Sequence, residues 1–433
     1  MEVRVTHASQ DSTLARVARL VEQAQQQSAP VERFIEKFAR YYTPTVVGGA
    51  ILVAAIPPLF FQQPFSTWLY RALVLLVISC PCALVISTPV ALWSGLSAAS
   101  RRGILVKGGA FLEAGARLKI IAFDKTGTLT QGALQVTDIV SLNGISDQKV
   151  LHLTASLNAF SQHPVGVATV KHWKASTPES LLPVENFQAL SGRGAQGNVA
   201  GREYFAGNHR LAHERGVCGA GVHQVLETLE QNGKSAILLG DEREVLGVLG
   251  LSDELRDSST PAVQQLEKLG IRAVMLSGDN RVVASRIAAQ LKMEDVRAEL
   301  LPEDKLKVLD ELRREYSGVG MVGDGINDAP ALAKADVGIA MGAAGTDVAL
   351  ETADVALMDD DLKKLPQFIE ISRATMGVLR QNIAFAIGIK AVFFGLALFG
   401  GATLWMAVFA DVGASLLVVF NSLRLLKTKS PAS

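Results

Sequence analysis

The stretch KIIAFDKTGTLT, residues 119–130, decides how this chain is read. Lys119-Ile120-Ile121-Ala122-Phe123 is the short apolar run of a strand buried on both faces of a parallel sheet. Asp124-Lys125-Thr126-Gly127-Thr128-Leu129-Thr130 follows at once. A carboxylate just past the carboxyl end of such a strand is placed to act as a nucleophile, with loop amides and Mg²⁺ binding a phosphoryl group.

Two further apolar runs end in the same way. Ala273-Val274-Met275-Leu276 leads into Ser277-Gly278-Asp279-Asn280, and Gly318-Val319-Gly320-Met321-Val322 leads into Gly323-Asp324-Gly325-Ile326-Asn327-Asp328. Between them, Leu301-Pro302-Glu303-Asp304-Lys305 offers a lysine able to neutralise phosphoryl charge. A nucleophilic Asp124, the Ser277 hydroxyl, Lys305 and an acidic loop with Asp324 and Asp328 are the parts needed for phosphoryl transfer to a carboxylate. Three strand-end motifs in this order, with the lysine, resemble the α/β haloacid-dehalogenase-like fold. Phosphatases of that fold carry a second Asp two residues after the nucleophile, where this chain has Thr126. The resemblance therefore implies a long-lived aspartyl phosphate, hydrolysed on a trigger from elsewhere. That suits a conformational cycle.

Residues 131–250 separate the first motif from the second and are rich in alternating strand patterns, as at Ser235–Gly240 and Glu244–Gly250. An insertion beside a phosphorylation site is expected to hold the nucleotide. Gly233-Lys234-Ser235 looks like the end of a phosphate-binding loop, but Thr228 stands where the first glycine is required. A P-loop is rejected.

The 433 residues carry Lys+Arg 42 against Asp+Glu 42, a formal net charge of zero, which argues against a nucleic-acid partner. Hydrophobic residues make up 49%, charged residues 19%, and the mean hydropathy is +0.26, which excludes a disordered chain. Three cysteines exclude a disulfide framework, and Cys218, in the insertion, reads as structural or incidental. The length allows about three domains at roughly 150 residues each.

The apolar residues are concentrated. No charge occurs from Tyr41 to Tyr70 or from Ala72 to Ser100, and between Gln381 and Leu423 only Lys390 and Asp411 are ionisable. Four membrane spans are expected, at 43–61, 68–94, 381–399 and 402–423. Pro57-Pro58 and Pro64 are expected to end the first and turn into the second, and Gly400-Gly401 to join the last two. Lys37, Arg40, Arg101, Arg102, Lys107, Arg373, Arg380, Arg424, Lys427 and Lys429 flank the other ends, with Arg71 near the opposite face. The positive-inside rule then places both termini and residues 101–380 in the cytoplasm. Residues 1–30 are polar, with Asp11-Ser12 ahead of a helix-like run, and no cleavable signal peptide is expected.

Ionisable groups at mid-membrane mark function. Lys390 and Asp411 lie symmetrically about Gly400-Gly401, each roughly 16 Å from that turn in a helical hairpin, so they meet near the midplane. In the second span Cys80-Pro81-Cys82 breaks the helix, and two thiols on a broken turn can converge on a soft or borderline metal. Two thiolates and the Asp411 carboxylate bring three negative charges against one on Lys390. A divalent ion balances them, whereas a monovalent one leaves a net charge in a low dielectric. Cys80, Cys82 and Asp411 are thus expected to bind an ion such as Zn²⁺ or Cd²⁺, with Lys390 as counter-ion.

The segments D-K-T-G-T-L-T at 124–130, M-L-S-G-D-N at 275–280 and G-D-G-I-N-D-A-P at 323–330 resemble the phosphorylation signatures of P-type ATPases. Ser161-Gln162-His163-Pro164 resembles the S-x-H-P motif of the heavy-metal branch, Gly192-Arg193-Gly194 its glycine pair beside ATP, and Gly207-Asn208 a further nucleotide position. The resemblance implies that His163, Gly192, Gly194 and Asn208 line the ATP site together with Thr126 and Asp279. It implies Mg²⁺ on Asp124, the Thr126 carbonyl and Asp324. Lys125, Gly278, Asp279 and Asn327 complete the catalytic set. The Tyr-Asn pair and Met-x-x-Ser-Ser motif of copper pumps are missing, while Lys390 and Asp411-Val412-Gly413-Ala414-Ser415 resemble the zinc, cadmium and lead exporters. Asn158 stands where the family usually has a Glu that binds adenine.

Such pumps have eight spans and an actuator domain with a T-G-E loop; this chain shows four spans and no T-G-E. The implied fold is four membrane helices in two hairpins plus a cytoplasmic haloacid-dehalogenase-like phosphorylation domain with an inserted α+β nucleotide-binding domain. Its expected parts are an actuator tail and linker helix (1–40), a hairpin with Cys-Pro-Cys (41–100), and the phosphorylation domain in two pieces (101–130 and 251–380). The nucleotide-binding domain (131–250), the second hairpin (381–426) and a tail (427–433) complete it. The implied function is ATP-driven export of Zn²⁺, Cd²⁺ or Pb²⁺ across the cell membrane through an aspartyl phosphate. Expected partners are membrane lipid, the metal ion and a separate chain supplying the actuator and first spans. The alternatives are a copper pump, a non-pumping split subunit or regulator, and a slow phosphatase.

Overall fold

Long runs without charge form helices here, and backbone geometry decides where each stops. The structure, a computed structural model, describes residues 29–161, 163–190, 193–279, 281–324, 328–341, 352–398 and 401–427. The actuator tail up to residue 28, Gln162, Gly192, Asn280, Asn327 and Gly400 lie outside the described residues. The chain divides into two units: residues 1–119, 312–321 and 329–433 in the first, and 120–311 with 322–328 in the second.

In the first unit, four stretches are helical, long and apolar enough to cross a membrane: Pro30–Phe61, Phe65–Ser100, Lys364–Ala397 and Leu404–Lys427. At the ends away from the two hairpin turns they run beyond the expected spans, because each helix continues past its apolar segment into flanking polar turns. Pro57 and Pro58 do not end the first helix but lie inside its last turns. A proline that close to the end deletes bonds that fraying would have weakened anyway. The stop comes at Gln62, which adopts the left-handed conformation (φ 51°), and Pro64 precedes the next helix, Phe65–Ser79.

Alanines, with a few branched aliphatic side chains, bring the membrane helices together. Ala83, Ala386, Ala414 and Val418 form one buried cluster, and Val74, Ile78 and Ala407 another. Without water to drive association, close backbone approach through such residues supplies the packing. The large apolar side chains Leu59, Phe60, Trp405, Phe409 and Phe420 point outward and are exposed, as lipid-facing residues should be. Asn382 donates to Ser422 Oγ at 2.9 Å and accepts from Asn421 at 2.7 Å, setting the register between the last two helices. The buried Glu113 accepts from the Val31 amide at 3.1 Å and holds the start of the first helix. This unit also carries the strands Ile104–Val106, Val337–Ala340 and Val355–Leu357, the last pairing antiparallel with the first and parallel with the second.

In the second unit, the parallel strands Ile120–Asp124, Arg272–Leu276 and Asp295–Arg297 lie side by side. Asp124 is the last residue of its strand. A six-stranded antiparallel sheet grows between the first two, in the order Thr130–Ser141, Val245–Leu255, Ser235–Gly240, Arg202–Gly207, Gly194–Val199, Val184–Leu190. Its alternation is two-sided. Ile237 and Leu239 enter one core and Leu238 the other, and Tyr204 and Ala206 sit opposite Phe205 in the same way. Period-two side chains that are apolar on both faces need a cover on each. The helices Asp147–Asn158 and Pro164–Ser176 cover one face, and His209–Glu214 and Ala220–Gln231 the other.

Candidate active site and membrane ion site

At the end of the Ile120–Asp124 strand the chain turns through Gly127, whose φ of +74° a side chain would strain. Lys305, in the first turn of the Pro302–Glu315 helix, reaches back to bridge two carboxylates: Asp124 Oδ1 at 2.6 Å and Asp328 Oδ1 at 2.7 Å. Lys125 pairs with Asp279 at 2.5 Å, and Ser277 Oγ donates to Asp279 Oδ2 at 3.1 Å. Residues from three strand ends and one helix start thus meet on one edge of the parallel strands. Gly278 lies in the Ser277–Asp279 turn, and Asp324 sits across from Gly127, its Cβ 3.5 Å from where a Gly127 Cβ would stand.

The electrostatics follow from burial. Loss of water around Asp124, reinforced by Asp328 and by Asp324, raises its pKa to about 6 against the stabilising pull of Lys305. Burial also raises the pKa of Asp328, with Lys305 opposing. Burial works against the Lys305 ammonium, yet Asp124 and Asp328 outweigh it and hold its pKa above the ordinary value. Four carboxylates, Asp124, Asp279, Asp324 and Asp328, thus face two lysines. Asp328 Oδ2 is buried without a hydrogen-bond partner among the described residues. An excess of hard oxygen donors with one oxygen unsatisfied fits a divalent cation such as Mg²⁺.

Three residues that sequence reasoning passed over brace the loop after Asp124. Arg256 donates through Nε to Thr130 O and through Nη2 to Gly127 O, each at 3.0 Å. Thr130 Oγ1 donates to Asp253 Oδ2 at 2.5 Å, and Ser259 Oγ to Leu129 O at 2.7 Å. Asp253 and Arg256 close the strand that returns from the insertion, a position at which the chain must meet the loop again. That topology was the available signal.

The nucleotide candidates fall in two places. Gly194 pairs with Gly207 across adjacent strands, and the Asn208 amide donates to Arg193 O at 2.9 Å, so Gly194 and Asn208 are drawn together. His163 stands at the start of the Pro164–Ser176 helix, its Nδ1 accepting from the Val165 amide at 3.4 Å. Asn158 is buried, and its amide donates to Thr154 O at 3.0 Å, so its side chain is engaged within its own helix.

In the membrane-spanning part the helix breaks at Cys80-Pro81 and resumes at Cys82. Lys390 Nζ fills the break. It donates to the Ile78 carbonyl at 3.1 Å and to the Cys80 carbonyl, and lies 3.5 Å from Asp411 Oδ1. Cys80 Sγ, Cys82 Sγ and an Asp411 oxygen all lie within 4.8 Å of one another. A cavity of about 10 Å³, the size of one water, adjoins Lys390 and Asp411. In the structure the two cysteines are joined as a disulfide. Their Cα atoms stand 5.5 Å apart on the broken turn, within disulfide range. Ligation of a metal requires the reduced pair, since the thiolate is the ligand.

The haloacid dehalogenase-like hydrolase family matches residues 118–336. The cadmium-transporting ATPase of Staphylococcus aureus is 44% identical over 99% of this chain and 60% of its own length. The zinc/cadmium/lead-transporting P-type ATPase of Escherichia coli (strain K12) is 45% identical over 96% of this chain and 56% of its own. The crystal structure of a zinc-transporting PIB-type ATPase in the E2.Pi state is 43% identical, with a TM-score of 0.78 over 98% of this chain and 69% of that one. The chain spans about three-fifths of the length of the curated relatives it matches.

Proposed function

Since the chain belongs to the heavy-metal-transporting P-type ATPases, in their zinc, cadmium and lead branch, we propose that it couples ATP to export of a divalent heavy-metal ion through a phosphate carried on Asp124. The observation that carries this reading is the meeting of Cys80, Cys82, Asp411 and Lys390 at a broken membrane helix.

Asp124 attacks the terminal phosphorus of ATP, forming the acyl phosphate and releasing ADP. Lys305 balances the charge that gathers there, and Ser277 and Asp328 position the phosphoryl group. Asp124, Asp324 and the Thr126 carbonyl would hold Mg²⁺, which screens phosphate charge. His163, Gly192, Gly194 and Asn208 hold the nucleotide. In the membrane, the reduced Cys80 and Cys82 with Asp411 take the cargo ion. Lys390, already within reach of Asp411, competes for that carboxylate and helps expel the ion. Both termini and residues 101–380 lie on the cytoplasmic side of a cell membrane, and a further polypeptide segment or chain supplies the actuator that triggers dephosphorylation.

Acid-quenched phosphorylation with terminally labelled ATP tests the reading, using Zn²⁺, Cd²⁺, Pb²⁺ and Cu⁺ in turn under reducing conditions. Acid-stable label that appears with the divalent ions and vanishes in Asp124→Asn and Asp411→Ala is the expected result. Label independent of metal points to a phosphatase or regulator instead, and stimulation by Cu⁺ alone to a copper pump.

A further inference from the structure

Cys218 has a setting that its isolation in the sequence conceals. It lies in the loop between the helices His209–Glu214 and Ala220–Gln231 of the second unit. His209 opens the first helix and His223 stands in the first turn of the second. One ligand atom from each of His209, Cys218 and His223 lies within 4.8 Å of the other two. The rings of His209 and His223 meet edge to face at 5.0 Å, and His213 stands one helical turn from His209 at 6.4 Å.

Packing separates the roles. Cys218 is half-buried against the core of Leu211, Val222 and Leu226, which anchors its sulfur, while both imidazoles are exposed. A tetrahedral zinc with bonds of about 2.0–2.3 Å needs ligand atoms roughly 3.5 Å apart. The observed spread, at most 4.8 Å, lies close to that value, and the two histidines that would close it are exposed side chains. One sulfur and two ring nitrogens suit borderline to soft divalent ions and disfavour Mg²⁺ or Ca²⁺.

We propose that Cys218, His209 and His223 form a second metal site, for Zn²⁺ or Cd²⁺, outside the membrane, with its fourth position open to water. His209 follows Asn208 directly, and Asn208 Oδ1 caps the same helix by accepting from the Leu211 amide at 3.1 Å. Occupancy would therefore tie the loop at Cys218 to the helix start beside a nucleotide candidate. The site stands or falls independently of whether the chain pumps.

The test uses the full chain in detergent, reduced, with Cys80→Ser and Cys82→Ser so that the membrane dithiol cannot contribute. Equilibrium dialysis against Zn²⁺ or Cd²⁺ should leave one tightly bound equivalent, and Cd²⁺ should produce the ultraviolet charge-transfer absorption of a single thiolate ligand. Adding Cys218→Ser should remove that absorption. The surface changes His209→Gln and His223→Gln, which spare the core, should each weaken binding roughly tenfold or more. The proposal is overturned if the background chain retains no tight equivalent, or if that equivalent survives all three substitutions.

Discussion

Asp124 and Lys305 show how single residues set the chemistry. A buried Asp124 with its pKa raised to about 6 is protonated below that pH, and only the carboxylate attacks phosphorus. At limiting Mg²⁺, phosphoenzyme formation should rise through pH 6 and level off above it. An exposed carboxylate, with an ordinary pKa near 3.8, would already give a level rate across this range. Initial rates of acid-stable labelling across pH 5–8 check the midpoint. Lys305→Ala leaves two buried carboxylates facing each other. It should abolish labelling and cost about 3 kcal/mol of stability at pH 7. At pH 5, where Asp124 already holds a proton, the cost should be smaller. Denaturant melts at the two pH values decide it. If the losses are equal, the ion pair does not account for the stability.

At the scale of elements, the broken membrane helix is the decisive device. Pro81 holds the preceding Cys80 extended (ψ 123°), which breaks the helix, and the carbonyls of Ile78 and Cys80 face Lys390. Pro81→Ala should let the helix close over those carbonyls and release Lys390. Metal-stimulated labelling should then fall at least tenfold while the chain remains folded; labelling at the parent level would show that the break is not needed for ion binding. Apolar runs and turn residues announced the strands ending at Asp124, Leu276 and Gly323, because short-range sterics and burial dictate them. The position of Pro57-Pro58 inside a helix was not legible in this way. Whether a proline ends a helix depends on how many bonds remain after it, and here the left-handed Gln62 made the stop.

Across the whole molecule, the zero net charge is an average over unlike regions. Basic residues gather at the ends of the spans and leave the apolar blocks bare, which predicts one orientation. In sealed inside-out vesicles, a protease added outside should cut within residues 101–380. In right-side-out vesicles the same segment should be protected. Cutting in right-side-out vesicles alone would reverse the topology.

Sequence alone determined the class of chemistry and the membrane architecture, since both rest on local patterns: an Asp at a strand end, a run without charge, a proline between two cysteines. It also nominated Lys390 and Asp411, because helical rise makes depth countable. Only the tertiary structure decided which distant groups share a space. Lys305 bridges Asp124 and Asp328, Asp253 and Arg256 brace the loop at Gly127, Asn382 locks to Ser422, and Cys218 meets two histidines. Such pairings depend on how sheets twist and helices pack over the whole chain, and a short window of residues carries no trace of that.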